Sequence, residues 1–400
     1  MPPDIDIVIV GGGMAGGMLA ASLAGQSLQI VLLDAAPAPQ FPQDEPALRV
    51  SALTETSETL LKNAQVWPLM PAARLQPYEQ LEVRDGDGTG EVHFSAADAN
   101  ASHLGTLVEN DAVVAALYQR CLSLPRVQWR SDCRVSGIVR RDDGWWITLS
   151  DGEVLKTCLL VGADGARSMV RSAAGLQAQS RDTGHIAIVA TLTTELSHQR
   201  CARQAFLDSG PVALLPLYGD GHSCSLVWSL WPERAQQLMQ LPGDGFAQEL
   251  TKATQSWLGE ISLASERLAF PIHDLHAGNY VADGVALIGD AAHVVHPLAG
   301  QGINLGLLDA AVLAEEICRA LAAGRQWYSL PLLQRYQRRR RGHNAVVVSA
   351  MRGFKVLFEQ RSPMLRFVRN AGMSMVDRHH LFKGLLARQA LGRFDDAPLD

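Results

Sequence analysis

Three glycines spaced G-x-G-x-x-G, Gly11, Gly13 and Gly16, and a carboxylate at Asp34 are suited to chemistry on a phosphorylated ligand. Glycines permit a tight turn and close backbone approach to a pyrophosphate, and a following helix N-terminus offers N–H groups and a positive dipole end. Asp34, 18 residues beyond Gly16, can accept hydrogen bonds from a ribose diol. A second set lies between residues 285 and 306: Gly289-Asp290 ends a short apolar run, and Pro297, Gly300, Gln301 and Gly302 form a loop before a helical pattern. Asp290 can accept from sugar-like hydroxyls, while Gly300 and Gly302 leave room for a flat ligand. A third set is Gly162-Ala163-Asp164-Gly165-Ala166-Arg167-Ser168. Each set also has a plainer reading: a glycine-rich turn, a strand-turn-helix, a turn with a capping aspartate. Arg49 reads equally as a diphosphate partner or a surface arginine.

The elements needed to position these residues are legible around them. Apolar strands over 5–10 and 28–33 flank a helix over 18–23, so the first glycine motif has a strand before it, a helix after it and an acid at the end of the second strand. Residues 285–288 read as a buried strand, with a helix from about Ile303. Residues 81–94 alternate around Asp-Gly-Asp-Gly-Thr-Gly, a hairpin signal. Strands recur over 155–160, 186–192, 204–206, 212–217 and 224–228, followed by one helical segment over 232–257. This strand-rich block, set between pieces of nucleotide-binding fold, reads as a substrate lobe.

Composition narrows the function classes. The chain is 47% hydrophobic and 19% charged, which is globular, and its formal charge of −6 gives no sign of nucleic-acid binding. Six scattered cysteines without a C-x-x-C pair argue against a disulfide scaffold, a zinc site and dithiol redox chemistry. No secretory signal is read, and no apolar run reaches the roughly 18 residues of a membrane span. The expected location is the cytoplasm. Residues 334–341 are strongly basic, a pattern that usually marks a solvated helix face. Residues 352–393 carry a formal +7, leaving −13 for the rest, with an amphipathic stripe at Met364, Val368, Ala371 and Met375. Packing on the body explains the stripe; anionic lipid headgroups would attract the charge.

Together, G-x-G-x-x-G, Gly-Ala-Asp-Gly-Ala-Arg-Ser and Gly-Asp-Ala-Ala-His with Pro-Leu-Ala-Gly-Gln-Gly-Ile-Asn resemble the group A flavoprotein aromatic hydroxylases of the p-hydroxybenzoate hydroxylase type. More closely, Leu-Arg-Val-Ser-Ala-Leu, Leu-Val-Glu-Asn and His-Pro-Leu-Ala-Gly-Gln-Gly-Ile-Asn-Leu-Gly resemble the ubiquinone-biosynthesis FAD-dependent hydroxylase family (the UbiH/UbiF/UbiI group). The resemblance spans essentially the whole chain. It departs at Asp34, where the family usually has Glu; the shorter carboxylate still reaches a ribose.

The resemblance implies an α/β fold: a Rossmann-like FAD-binding domain, p-hydroxybenzoate hydroxylase-like, with an inserted β-rich substrate domain and a helical C-terminal region. It implies segments 1–75, 106–180 and 276–345 for the FAD-binding domain, 76–105 for a substrate-domain hairpin, 181–275 for the substrate domain and 346–400 for the basic tail. Gly11, Gly13, Met14, Ala15, Gly16, Asp34, Arg49, Asp164, Gly289, Asp290, Gly302, Ile303 and Asn304 would bind FAD. Pro297, Gly300, Gln301 and Gly302 would frame the flavin, with no side-chain acid or base assigned and no metal.

The implied reaction is hydroxylation of a polyprenylated phenol or quinol of ubiquinone biosynthesis through a C4a-hydroperoxyflavin, with O₂ and a reductant (NADPH or another donor) as cosubstrates. A lipophilic aromatic substrate, a membrane surface at its inner face, other ubiquinone-biosynthesis proteins and oligomer formation are the implied partners. The absence of a second G-x-G-x-x-G disfavours two-Rossmann disulfide reductases and leaves any nicotinamide to bind transiently. A hydroxylase of a soluble phenol would share every FAD motif, and a non-catalytic FAD-binding subunit would keep the glycines. A halogenase would need Trp-x-Trp-x-Ile-Pro, which Trp228-Ser229-Leu230-Trp231-Pro232 does not match.

Overall fold

The computed structural model describes residues 4–42, 48–86, 90–295 and 301–359. Its first layer is an eight-stranded sheet in the order Val281–Ala282, Val285–Leu287, Val154–Gly162, Asp4–Val10, Ile30–Leu33, Val127–Arg130. All pairings from Val285–Leu287 to Val127–Arg130 are parallel. Parallel strands are covered on both faces, so their sequences run continuously apolar rather than alternating. Ile7, Val8, Ile9, Leu32, Leu159 and Leu160 are accordingly buried. The hairpin of Val135–Arg141 and Gly144–Leu149 pairs antiparallel to the start of Val154–Gly162. Helices Met14–Ser22 and Gln301–Ala322 pack together against this sheet.

The second layer has nine strands, in the order His293–Val294, Leu268–Ala277, Ala178–Thr194, Ser223–Leu230, Gly210–Pro216, Cys201–Leu207, Gln80–Asp85, Glu91–Ser95, with Ile261–Leu263 beside the end of Ala178–Thr194. Trp228, Leu226, Leu214 and Ile188 pack one face on Phe246, Leu250 and Leu238 of two helices. The single helical segment expected over 232–257 is in fact Pro232–Gln240 and Gly243–Ala253. Pro242 is the cause: it pushes Leu241 to an extended conformation and cannot donate to a continuing helix. The hairpin over 81–94 is present as Gln80–Asp85 and Glu91–Ser95, and Gln80–Asp85 joins Cys201–Leu207 in parallel.

A small antiparallel sheet, Val50–Leu53, Gly105–Glu109 and Gln76–Tyr78, completes the described sheets. His293–Val294 pairs with Leu275 and His276, stitching the Gly-Asp-Ala-Ala-His turn to the second layer. The last described element is the helix Leu330–Glu359. The stripe Met364, Val368, Ala371 and Met375 and most of the basic segment lie outside the described residues. The basic run over 334–341 is not a wholly solvated face: Tyr336 is fully buried, Arg339 is half-buried against Glu315 and Glu316, and Arg340 is only 5% exposed. It points at helix Gln301–Ala322, where a buried carboxylate meets it.

Candidate functional site

Strand Asp4–Val10 delivers its C-terminal end to Gly11, whose N–H donates to Leu33 O at 2.8 Å; beside it, Ala163 N–H donates to Val10 O at 2.8 Å. The glycine loop is thereby clamped between the second strand and the middle motif. Gly11 has φ +109°, and a Cβ there would lie 2.2 Å from Ala163 O. A Cβ at Gly16 would lie 2.0 Å from Gly11 O, whereas one at Gly13 would meet no atom within 4 Å. Gly11 and Gly16 thus serve close backbone packing, and Gly13, the N-cap of Met14–Ser22, faces open space. Met14 and Ala15 open that helix, partly buried against the core.

Asp34 is half-buried. Its Oδ2 accepts from Gly12 N–H at 2.9 Å and its Oδ1 from Ala36 N–H at 2.9 Å. Each oxygen keeps a lone pair for a further donor. In the middle motif, Asp164 Oδ2 accepts from Met169 and Val170 N–H at 2.7 and 3.2 Å, the first two N–H groups of the helix Met169–Ala173, whose N-cap is Ser168. Its Oδ1 is buried with no partner among the described residues. Arg171, to which the sequence pattern assigned no role, bridges the middle and third motifs. It donates through Nη2 to Ala166 O at 2.7 Å and through Nη1 to Ala291 O at 2.8 Å.

The third motif converges on the same place. Gly289 has φ +57°, and a Cβ there would lie 3.1 Å from the Cβ of Ala15. A Cβ on Gly306, one turn into helix Gln301–Ala322, would lie 3.4 Å from Gly289 Cα. Small residues from all three motifs therefore let two helices and a turn close around the strand ends. Asp290 is exposed, with no hydrogen-bond partner among the described residues. Desolvation by the protein around it pushes its pKa up, an effect opposed by the charges of His293 and Arg49. Arg49, exposed at the edge of Val50–Leu53, is thus near Asp290. Pro297 and Gly300 lie outside the described residues; Gln301 opens the helix, and Gly302 and Ile303 follow it half-buried. Asn304 is buried. Its side chain accepts from Thr54 N–H and Ser57 Oγ at 3.0 and 2.7 Å, and donates to Ala52 O at 2.9 Å. It ties this helix to Val50–Leu53 and to the helix Glu55–Asn63.

A buried polar network behind the third motif escaped the sequence pattern. Asp309 Oδ2 accepts from His293 Nε2 at 2.5 Å and Gly289 N–H at 3.1 Å; Oδ1 accepts from Arg340 Nε at 2.7 Å and Asn344 Nδ2 at 3.1 Å. Burial alone would raise the Asp309 pKa, but His293 and Arg340 overrule it and hold the carboxyl well below its ordinary value. The signal was available: a single aspartate inside Leu-Gly-Leu-Leu-Asp-Ala-Ala-Val-Leu must have a partner if that helix is buried. Elsewhere, Glu82, Glu91 and His93 are close enough to share an ion. Arg84 and Arg203 already pair with those carboxylates, which removes the excess negative charge a cation needs.

The described residues offer an open glycine floor at Gly13, a fixed carboxylate at Asp34 and a free one at Asp290 beside Arg49. This donor and acceptor set fits a dinucleotide with a polyol arm. An FAD binding domain family model matches residues 4–351. The chain is 38% identical to a 3-demethoxyubiquinol 3-hydroxylase from Escherichia coli, over 96% of this chain and 97% of that one. It is 34% identical to the ubiquinone hydroxylase UbiL of Rhodospirillum rubrum, over 98% and 91% of the two chains. Among solved structures, a mutant of PqsL from P. aeruginosa matches with a TM-score of 0.78 at 25% identity, covering 93% of this chain and all of that one.

Proposed function

From a chain that belongs to the FAD binding domain family and is an FAD-dependent aromatic-ring monooxygenase, we propose hydroxylation of a polyprenylated phenol or quinol intermediate of ubiquinone biosynthesis. The observation that carries the substrate class is the 38% identity to a 3-demethoxyubiquinol 3-hydroxylase along nearly the full length of both chains. The second layer supports an apolar substrate. Its face turned from the two helices presents Val83, Ala213, Leu215 and Val227, half-buried and uncharged.

In this reading Gly11, Gly13, Met14, Ala15 and Gly16 receive the pyrophosphate, with Arg49 balancing its charge. Asp34 accepts from the ribose, and Asp290 from the ribityl chain. Asp164 acts from the middle motif through its unpartnered oxygen. Gly302, Ile303 and Asn304 stand at the helix start with their backbone N–H groups toward the flavin, and Pro297, Gly300 and Gln301 complete the frame. Bound FAD supplies the electrons that activate O₂ for insertion of one oxygen atom into the ring. The chain's own part is to hold that ring, exclude water and fix the flavin. Segment 181–275, with the hairpin of 76–105, forms the substrate lobe; segments 1–75, 106–180 and 276–345 form the FAD-binding domain; and 346–400 is the helical basic C-terminal region, whose first residues continue helix Leu330–Glu359.

Supplying ¹⁸O₂ and a reductant to the reconstituted enzyme with a prenylated phenol tests the reaction. Mass spectrometry is expected to find one ¹⁸O in a new ring hydroxyl. Unlabelled product would overturn oxygen insertion, and labelling confined to a non-prenylated phenol would replace the lipid substrate with a soluble one.

No helix among the described residues is long and apolar enough to cross a membrane. We place the enzyme at the inner membrane surface through the +7 carried by residues 352–393, a charge that would also attract acidic surfaces of other ubiquinone-biosynthesis proteins. Basic residues contribute about 1 kcal/mol each at an anionic surface and are screened by salt. Co-sedimentation is expected with anionic but not neutral vesicles and should fall as salt rises. Equal binding to both vesicle types, or to neither, would reject this placement.

A further inference from the structure

We infer that Asp309, together with His293, is a positioning residue that sets the Asp290 carboxylate for FAD, and that Arg340 anchors Asp309 from helix Leu330–Glu359. The inference rests on the reading of Asp290 as an FAD contact.

The geometry is specific. Asp290 is flanked by two donors to one oxygen: Gly289 N–H at 3.1 Å and His293 Nε2 at 2.5 Å, both on Asp309 Oδ2. The chain between them is thus closed over a single buried acceptor. Its far end has other anchors, since Arg171 holds Ala291 O at 2.8 Å and Ala277 N–H donates to Ala292 O at 2.8 Å. At its near end Gly289 is left-handed, φ +57°, and its N–H donates to Asp309 Oδ2. The orientation of the peptide entering Asp290 therefore depends on that carboxylate.

His293 and Asp309 are both fully shielded from water at their side chains. The other ring nitrogen of His293, Nδ1, is buried with no partner, so among the described residues the ring's hydrogen bond goes to Asp309. A hydrogen bond to an ionised carboxylate is short, directional and stronger than a neutral one. The remaining oxygen, Oδ1, is filled by Arg340 Nε and Asn344 Nδ2 from helix Leu330–Glu359. Arg340 Nη2 also donates to Asn344 Oδ1 at 2.7 Å, locking the two together. The last described helix, remote in sequence from every glycine motif, thereby reaches the turn that presents Asp290.

The test titrates the full-length apoprotein with FAD and reads bound flavin by its visible circular dichroism, alongside melting without flavin. His293→Leu removes one donor while Arg340 still neutralises Asp309, so the apoprotein stays folded. Its FAD Kd is expected to rise about tenfold or more, with a changed dichroic band, because a hydrogen bond to a charged group has been lost. His293→Gln, whose amide N–H can reach Asp309, is expected to return both Kd and band most of the way to wild type. Asp309→Asn, which keeps size and an acceptor but not charge, is expected to weaken FAD as His293→Leu does. Asp290→Ala is the control. If it weakens FAD while His293→Leu binds within about twofold of wild type with an unaltered band, the positioning role is wrong and Asp290 stands. If Asp290→Ala itself leaves Kd unchanged, the contact reading fails and takes the inference with it. Should Asp309→Asn not fold, the two His293 variants decide the matter alone.

Discussion

Replacing Gly11 with alanine should cost both the fold and the flavin, while the same replacement at Gly13 should cost only the flavin. At Gly11 the added Cβ would sit 2.2 Å from a backbone oxygen, Ala163 O, at φ +109°. No rotamer relieves a backbone contact, and a non-glycine residue in such a conformation costs about 1–3 kcal/mol before the clash is counted. The first and middle motifs would have to separate, breaking the parallel ladder between Val10 and Gly162 at its end. At Gly13 the Cβ has nothing within 4 Å, so the apoprotein should melt as wild type does. It would occupy the open approach to the helix N-terminus, where a pyrophosphate must come close to backbone N–H groups. Melting of the two apoproteins and FAD titration separate the effects. A Gly13→Ala protein that binds FAD like wild type would remove this loop from the binding site, and a Gly11→Ala protein of unchanged stability would contradict the packing.

Arg74→Ala is expected to lower the unfolding free energy by about 3–5 kcal/mol, the cost of removing one member of a buried ion pair. Arg74 meets Glu109 as a two-pronged pair, Nε to Oε2 at 2.6 Å and Nη2 to Oε1 at 2.9 Å. The Glu109 side chain is 1% exposed. The pair joins the short helix before Gln76–Tyr78 to the end of Gly105–Glu109, and the Tyr218 ring lies 5.0 Å from the guanidinium, at the end of a second-layer strand. Loss of the arginine would therefore loosen the small sheet and its contact with the second layer together. Arg74→Lys should recover only part of the stability, since an ammonium cannot reproduce the fork. Denaturant unfolding monitored by tryptophan fluorescence measures it. A loss below about 1 kcal/mol for Arg74→Ala would mean that water or another cation compensates Glu109.

The sequence by itself determined the local chemistry. An unbroken apolar strand, three glycines and an acid at a fixed distance allow few structures other than a strand, a tight turn and a helix. The alternation around Asp-Gly-Asp-Gly likewise foretold a hairpin. These signals are short-range, because backbone sterics and side-chain period act between neighbours. The turn at Leu241-Pro242 was visible too, as a proline within the expected helix, but apolar spacing on either side masked it.

What the tertiary structure decided were pairings between residues far apart in the chain. Nothing local distinguishes Arg340 from the three arginines beside it. Only the angle at which helix Leu330–Glu359 crosses helix Gln301–Ala322 turns that one arginine onto Asp309. The glycines divide in the same way. Gly11 and Gly13 look equivalent in the motif, yet one abuts Ala163 and the other has no neighbour within 4 Å of a built Cβ, because the neighbouring strand Val154–Gly162 passes on one side only. Asn304, read from the motif as part of a cofactor loop, has its side chain spent on Thr54, Ser57 and Ala52, about 250 residues away. Burial of a polar group forces it to find a partner, but which partner is set by chain crossings, and those are fixed only when the sheets and helices pack.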